Sequence, residues 1–287
     1  MTGRVREFAP AKVNLALHVT ARRGDGYHDL DSLVVFAGSG DWLEAAPGKS
    51  LTLAVKGPQA AGVPVDGNLV RKAAAALGQA AGRPGLGANL MLDKHIPAAS
   101  GIGGGSSDAA AALRALNRLW GLGLDRADLM AIGAGLGADV PVCVAAASAR
   151  IRGIGDRVTP LPALPEFHLV LANPGRSLAT AAVFARLVQP SNPGLPELPG
   201  RWRDVAHLVD YLGRCRNDLA GAASAAEPAI LEVLAALGGE SRCLLARMSG
   251  SGATCFGLFA TAGGAAGAAA SLSDRHRHWW VAAAPTL

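Results

Sequence analysis

Asn89-Leu-Met-Leu-Asp-Lys-His-Ile-Pro97 and the residues that follow it, Ala98-Ala-Ser-Gly-Ile-Gly-Gly-Gly-Ser-Ser-Asp108, form the stretch on which the reading of this chain turns. The first half reads as a strand. The second is a glycine-rich loop, after which Leu113, Leu116, Leu119 and Trp120 recur at helical spacing, with Ser106 or Ser107 the expected N-cap. A strand, a glycine loop and a helix in this order have a physical use. Glycines let the backbone come close to a ligand, and exposed N–H groups at a helix start, aided by the helix dipole, favour phosphate oxygens. Ser106 and Ser107 add hydroxyl donors, and Lys94 is close enough in sequence to sit near a nucleotide. The same string also suits an ordinary surface loop with a serine cap, so the loop alone decides nothing.

Three neighbouring patterns lead nowhere. Gly48-Lys49-Ser50 lacks the glycine a P-loop needs five positions earlier, where Leu43 stands, and it leads into a strand. Gly101–Ser106 ends on serine where a dinucleotide fingerprint has Gly or Ala, and no acid about 20 residues on suits a ribose. Ser249-Gly250-Ser251-Gly252 is not GxSxG, because Arg247 and Ser249 hold the first glycine positions.

Working outward, Lys12–Thr20 alternates as a strand, Arg22-Arg23-Gly24-Asp25-Gly26 is a turn, and Tyr27–Phe36 returns as a second strand. Further strands are expected at 51–55, 167–172, 246–259 (broken by a second glycine turn) and 279–283. Helices are expected at 68–77, 125–135, 180–187, 229–237 and in the alanine-rich segment before the last strand. Residues 189–200 form a proline-rich loop, and Pro160, Pro162 and Pro165 mark a boundary. The mixture predicts an α+β protein of two domains, 1–158 and 159–287.

Composition narrows the function. Half of the 287 residues are hydrophobic and 17% are charged, a globular balance. The net charge of +5 is scattered, and no basic run is interleaved with aromatics, so nucleic acid is not an expected partner, whereas a small anion is. Residues 129–149 and 253–272 are poor in charge but too rich in Gly, Ala and Thr, or too broken by Asp139 and Pro141, to span a membrane. Cys143, Cys215, Cys243 and Cys255 form no metal spacing, and the N-terminus has no apolar signal core; a cytoplasmic protein is expected.

Asp139, in Gly137-Ala138-Asp139-Val140-Pro141, can be the N-cap of a short helix or the acceptor of a proton from an attacking hydroxyl. Lys12, in Ala9-Pro10-Ala11-Lys12-Val13-Asn14-Leu15, is by itself an ordinary strand lysine. The order of segments is more telling. Ala9–Leu15, Asp25-Gly26-Tyr27-His28-Asp29-Leu30, Ile96–Ala110, Gly137–Pro141 and Arg247-Met248-Ser249-Gly250-Ser251-Gly252-Ala253 together resemble the GHMP-type small-molecule kinases. Ala98, Ala99 and Ser100 depart from the glycines common in that family, and Asp108 from its usual asparagine.

The resemblance implies a two-domain fold, with an N-terminal domain like ribosomal protein S5 and a ferredoxin-like C-terminal domain. It implies ATP with Mg²⁺, whose ligands it does not identify, and a monomer or weak homodimer. The nucleotide residues would be Lys94, Pro97, Gly101, Gly103, Gly104, Gly105, Ser106 and Ser107. Asp139 would be the base, with Lys12 holding it ionised and steadying the transferring phosphate. Asn14 would orient the acceptor alcohol, Tyr27 and Phe184 would stack on a cytosine, His28 would read its edge, and Thr180 would add a contact. The Gly26-Tyr27-His28 segment implies a cytidine-diphosphate-linked polyol, phosphorylated on its 2-hydroxyl on the non-mevalonate route to isoprenoid precursors. The alternatives are another alcohol, such as homoserine or a mevalonate-like acid, and a nucleotide-binding protein without catalysis.

Overall fold

The computed structural model describes residues 3–287. Two strands, β1 (Val5–Arg22) and β2 (His28–Pro47), pair with each other and dominate the first part of the chain. The turn between them is the expected one at Arg22–Gly26, with Gly26 at φ 88°. β2 runs well beyond Phe36, through a stretch whose glycines and charges gave no strand signal. Both are far longer than an ordinary strand of about five or six residues.

That length explains how the chain partitions. One compact unit comprises the residues up to Ala11 with Gly40–Ala98 and Gly103–Ala147; the other comprises Lys12–Ser39, Ala99–Ile102 and Ser148–Leu287. β1 and β2 each belong to both, so the units interleave along the sequence.

In the first unit, β4 (Ala88–Asp93) pairs antiparallel with the end of β2 and parallel with β3 (Leu51–Lys56). Helix α1 (Leu69–Ala80) is capped by Asn68, whose side chain accepts from the Val70 N–H, and it buries Val70, Ala73, Ala74 and Leu77, one helical stripe. It packs on α2 (Gly104–Leu119), which in turn contacts α3 (Arg126–Ala134) and α4 (Val140–Ala145). A capping box of Asp125 and Asp128 starts α3. The start of α2 differs from expectation. Gly103 is the N-cap, at φ 66°, and Ser106 and Ser107 lie inside the first turns. The left-handed conformation needed there suits glycine and not serine.

In the second unit, β5 (Ala149–Gly153) pairs with the first part of β2 and with β6 (Arg157–Pro160), neither of which the sequence patterning predicted. Beyond them an antiparallel sheet has the order β10 (Trp280–Pro285), β7 (His168–Asn173), β9 (Cys255–Phe259), β8 (Leu245–Met248). Helices α5 (Thr180–Phe184), α6 (Val205–Gly213), α7 (Ala220–Ala226), α8 (Ala229–Gly238) and α9 (Ala262–Arg275) complete it. α5 is shorter than the helix expected at 180–187, and α6 and α7 were not expected. Val170, Ala172, Ile230, Val233, Leu237, Phe259 and Leu272 close the core of this sheet. The apolar stretch at 129–149 divides into α3, α4 and a strand, and that at 253–272 into β9 and α9. Among the described residues no helix is long and apolar enough to cross a membrane.

Candidate active site

In the first unit the β2–β4 register decides the surroundings of the glycine loop. Trp42 stands opposite Asp93, so the next step of the antiparallel pair brings Asp41 to Lys94. The Lys94 Nζ donates to Asp41 Oδ2 at 2.5 Å and to Asp108 Oδ2, on α2, at 2.8 Å. All three side chains are buried: Lys94 is 2%, Asp41 0% and Asp108 3% exposed. Lys94, expected near a nucleotide, lies under the glycine loop with its ammonium enclosed by carboxylates. Burial pulls the Lys94 pKa down, but Asp108 and Asp41 outweigh it and the net shift is upward.

The two carboxylates are not equivalent. Asp41 Oδ1 accepts the backbone N–H groups of His95 and Ile96, so both its oxygens are engaged. Asp108 Oδ1 is buried with no hydrogen-bond partner. Burial pushes the Asp108 carboxyl up to about 7; Lys94 opposes this and the Asp41 charge adds to it.

No side chain caps α2, so its first-turn N–H groups at Gly104, Gly105 and Ser106 are not satisfied by a cap. Gly104 lies against this triad: an added Cβ would stand 3.2 Å from Ile96 and 3.4 Å from Lys94 Nζ. Ser107 is turned inward, its hydroxyl donating to the Pro10 carbonyl at 2.7 Å and lying 3.4 Å from the Cys143 sulfur. Pro97 ends the segment that follows β4 and is half-buried. Asp139 does occupy the N-cap position of α4, with Pro141 in the first turn, yet its carboxylate makes no capping bond. Capping thus does not account for this half-buried acid.

In the second unit two glycine turns pack backbone on backbone. A Cβ on Gly101 would lie 2.6 Å from the Ser249 carbonyl oxygen and 2.7 Å from Gly252 N; one on Gly250 would lie 2.5 Å from the Gly101 oxygen. The Ser249 hydroxyl accepts the Asn14 N–H and donates to the Gly101 carbonyl, both at 3.1 Å. Thr254 N–H donates to the Ser100 carbonyl, and Lys12 N–H to that of Ile102. Asn217 holds the second turn, its amide donating to the Met248 and Gly250 carbonyls. Lys12 and Asn14, two positions apart on β1, are both 4% exposed. The Asn14 amide donates to Ser32 Oγ at 2.8 Å, while its Oδ1 is buried without a donor.

The aromatic group lies at the other end of β1. Tyr27 is 62% exposed. His28 stacks on Phe184, centroids 4.9 Å apart and planes at 25°, so the imidazole itself covers one face of the ring expected to receive a base. Burial and the charge of Arg22 hold the His28 pKa below its ordinary value, which favours the neutral ring. Thr180 Oγ1 is 2.9 Å from Ser251 Oγ. Behind this group Asp31 accepts both Arg150 Nε and Nη2, at 2.7 and 2.6 Å, and the Leu195 N–H at 2.9 Å, which ties the proline-rich loop to β2. Sequence reasoning missed Asp41, Asp31, Ser32 and Asn217; their partners are remote in the chain and no local spacing announces them.

Comparison with known proteins gives a consistent picture. The family model of the GHMP kinases N terminal domain matches residues 68–147, and that of the GHMP kinases C terminal domain matches 198–278. The chain is 54% identical over 281 residues to a 4-diphosphocytidyl-2-C-methyl-D-erythritol kinase of Cereibacter sphaeroides, covering 96% of this chain and 97% of that one. It is 53% identical to the enzyme of the same name from Dinoroseobacter shibae, covering 98% and 93%. A crystal structure of 4-(cytidine 5'-diphospho)-2C-methyl-D-erythritol kinase superimposes with a TM-score of 0.80 at 35% identity, covering 98% and 99%. A homoserine kinase from Cytophaga hutchinsonii, 18% identical, shares the fold with a TM-score of 0.73, covering 99% and 95%.

Proposed function

The chain belongs to the GHMP kinase family, with 4-diphosphocytidyl-2-C-methyl-D-erythritol kinases as its relatives along its whole length, and we propose that it phosphorylates the 2-hydroxyl of 4-diphosphocytidyl-2-C-methyl-D-erythritol with ATP. It is a phosphotransferase with an alcohol as acceptor, acting in the non-mevalonate route to isoprenoid precursors. The observation that carries the reading is identity above half over nearly all of both chains with enzymes of that name.

In the reaction Asp139 takes the proton of the 2-hydroxyl as its oxygen attacks the γ-phosphorus. The bond from that phosphorus to the bridging oxygen breaks, and ADP leaves. Lys12 steadies the negative charge of the transferring group. Asn14 orients the acceptor hydroxyl, a role supported by its undonated Oδ1. The uncapped N–H groups of Gly104, Gly105 and Ser106, with Gly103 at φ 66°, support a phosphate cradle. Tyr27 and Phe184 flank the cytosine, His28 reads its edge and Thr180 adds a contact; the His28–Phe184 stack means that a base must take the other face of Phe184 or displace the imidazole.

Mg²⁺ would enter on the ATP phosphates and neutralise their charge. Nucleotide phosphates with few protein ligands are the usual mode for this ion. The finer fold description is part of the same reading. The β7–α8–β8–β9–α9–β10 order with the first strand beside the last supports a ferredoxin-like C-terminal half, and we carry the ribosomal-protein-S5 likeness for the N-terminal half. The two family matches fall one in 1–158 and one in 159–287, the division we propose for the family domains. Four free cysteines support a cytoplasmic site of action, and a monomer or weak homodimer is the proposed state.

The test is ADP release from ATP and Mg²⁺ with this alcohol, with Asp139→Asn alongside. Turnover is expected in the parent and a fall of about 10²–10⁴ in kcat in the variant. Turnover surviving in the variant would remove Asp139 from the mechanism, and turnover of homoserine or mevalonate in place of this alcohol would overturn the substrate.

A further inference from the structure

The buried triad under the glycine loop has one proton to place. With Lys94 charged and both aspartates ionised it would carry a net negative charge, enclosed beside the helix start where phosphates are expected. The hydrogen bonds say which carboxylate is the neutral one. Asp41 accepts from Lys94, His95 N–H and Ile96 N–H, so its ionised form is satisfied. Asp108 accepts from Lys94 alone, and its other oxygen is buried without a donor. An ionised carboxylate in that condition is costly, and protonation of Asp108 removes the buried charge; the neighbouring Asp41 carboxylate, by its charge and by a hydrogen bond, favours that neutral form.

From this geometry, and resting on the reading that ATP binds at the glycine loop, we propose that Asp108 is a positioning residue that works as a neutral acid. Its proton keeps the Asp41–Lys94–Asp108 triad uncharged beneath the first turn of α2, and release of that proton to solvent base weakens ATP binding. The mechanism is electrostatic. Asp108 sits in the second turn of α2, one turn from the uncapped N–H groups, so a buried negative charge there opposes the field that favours phosphate. Gly104 closes over the triad, since a Cβ added there would stand 3.4 Å from Lys94 Nζ.

The groups facing Asp108 are few. Lys94 and Asp41 come from β4's end and from β2. The residues that α1 buries are Val70, Ala73, Ala74, Leu77 and Gly78, without charge, and α3 buries Leu129 and Gly133. From α4 the buried residues are Val140–Val144, of which Cys143 is the titratable one. The pH response through neutrality is therefore assigned to the triad, and burial raises Asp108 into that range.

The experiment is KM for ATP and kcat from about pH 6 to about pH 8.5 for the parent and for Asp108→Asn, which keeps an acceptor for Lys94 and cannot ionise. In the parent KM for ATP is expected to rise roughly tenfold with pH, the effect of one charge about 10 Å away at an effective dielectric near 20, while kcat moves less. In Asp108→Asn KM is expected to be flat and near the parent's low-pH value. Parallel pH dependence of KM in both proteins would overturn the proposal. Calorimetric titration with ATP alone over the same range tests it even where no alcohol is turned over, which separates its failure from failure of the proposed reaction. For the parent alone, carbon-13 NMR of labelled aspartate should show one buried carboxyl titrating near neutrality that shifts when ATP is added; all carboxyls ionised at low pH would overturn the proposal without any variant.

Discussion

Single residues in this protein are constrained mainly by what lies across from them in space. Gly101 has φ 78° and faces the Ser249 and Gly252 backbones at under 3 Å from any added Cβ. Gly101→Ala is expected to lose more than about 2 kcal/mol, since an L-residue pays for the left-handed backbone and the neighbours are main chain that cannot swing aside. Chemical denaturation measures it. Ala99 is the opposite case: it holds φ 48° although it is not glycine. Ala99→Gly should be neutral or stabilising by less than about 1 kcal/mol, the relief of the left-handed penalty offset by added freedom of the unfolded chain; a clear loss in the same assay would show that the methyl makes a needed contact. At this scale the sequence was partly legible. The glycines announced a tight loop, but the N-cap fell to Gly103 and not to a serine, because backbone conformation outranked side-chain preference. Lys94 was noticed but its partner was not, because Asp41 is 53 positions away and only the β2–β4 register brings it there.

Elements follow the same logic one level up. Helices with a clear apolar stripe or a capping box, such as α1 and α3, were readable because local chemistry suffices to specify them. β5, with the sequence Ala-Arg-Ile-Arg-Gly, and the end of β2 were not, since partners and not propensity make them strands. The proline-rich loop, readable as a loop, owes its position to Asp31. Asp31→Asn leaves the Arg150 guanidinium without its carboxylate and should cost about 2–3 kcal/mol, with faster proteolytic cleavage within 189–200 as the local reading. Burial pushes the Asp31 carboxyl up, but the Arg150 and Leu195 hydrogen bonds outweigh it and hold the pKa below the ordinary value. The sign follows: the stabilisation is complete above the ordinary aspartate range, near pH 4, and is lost as the pH falls through the lower folded value. Acid titration of the loop's cleavage rate checks it.

For the whole molecule, Asp108 acts in the opposite direction. Its folded pKa lies above that of the unfolded chain, so the folded state binds the extra proton, and stability falls as the pH rises from the ordinary aspartate range to about 7. The Tm of the parent should decline across that interval more steeply than that of Asp108→Asn; equal slopes would count against a raised value. The family, and with it the reaction, was legible from five short segments in order, whereas the partition of the chain was not. The compact units exchange strands: Lys12–Ser39 belong with Ser148–Leu287, while Gly40–Ala98 belong with the residues before Lys12. Threading of this kind has a genetic consequence. No single break in the gene separates the two halves, so a clone ending at residue 158 would keep the strand partners of β1 and β2 but lose the contacts of Leu17, Val19 and Asp31 to Arg216, Asp218 and Leu195, and co-expressed fragments should recover activity only when every cut falls in a surface loop that leaves both long strands whole.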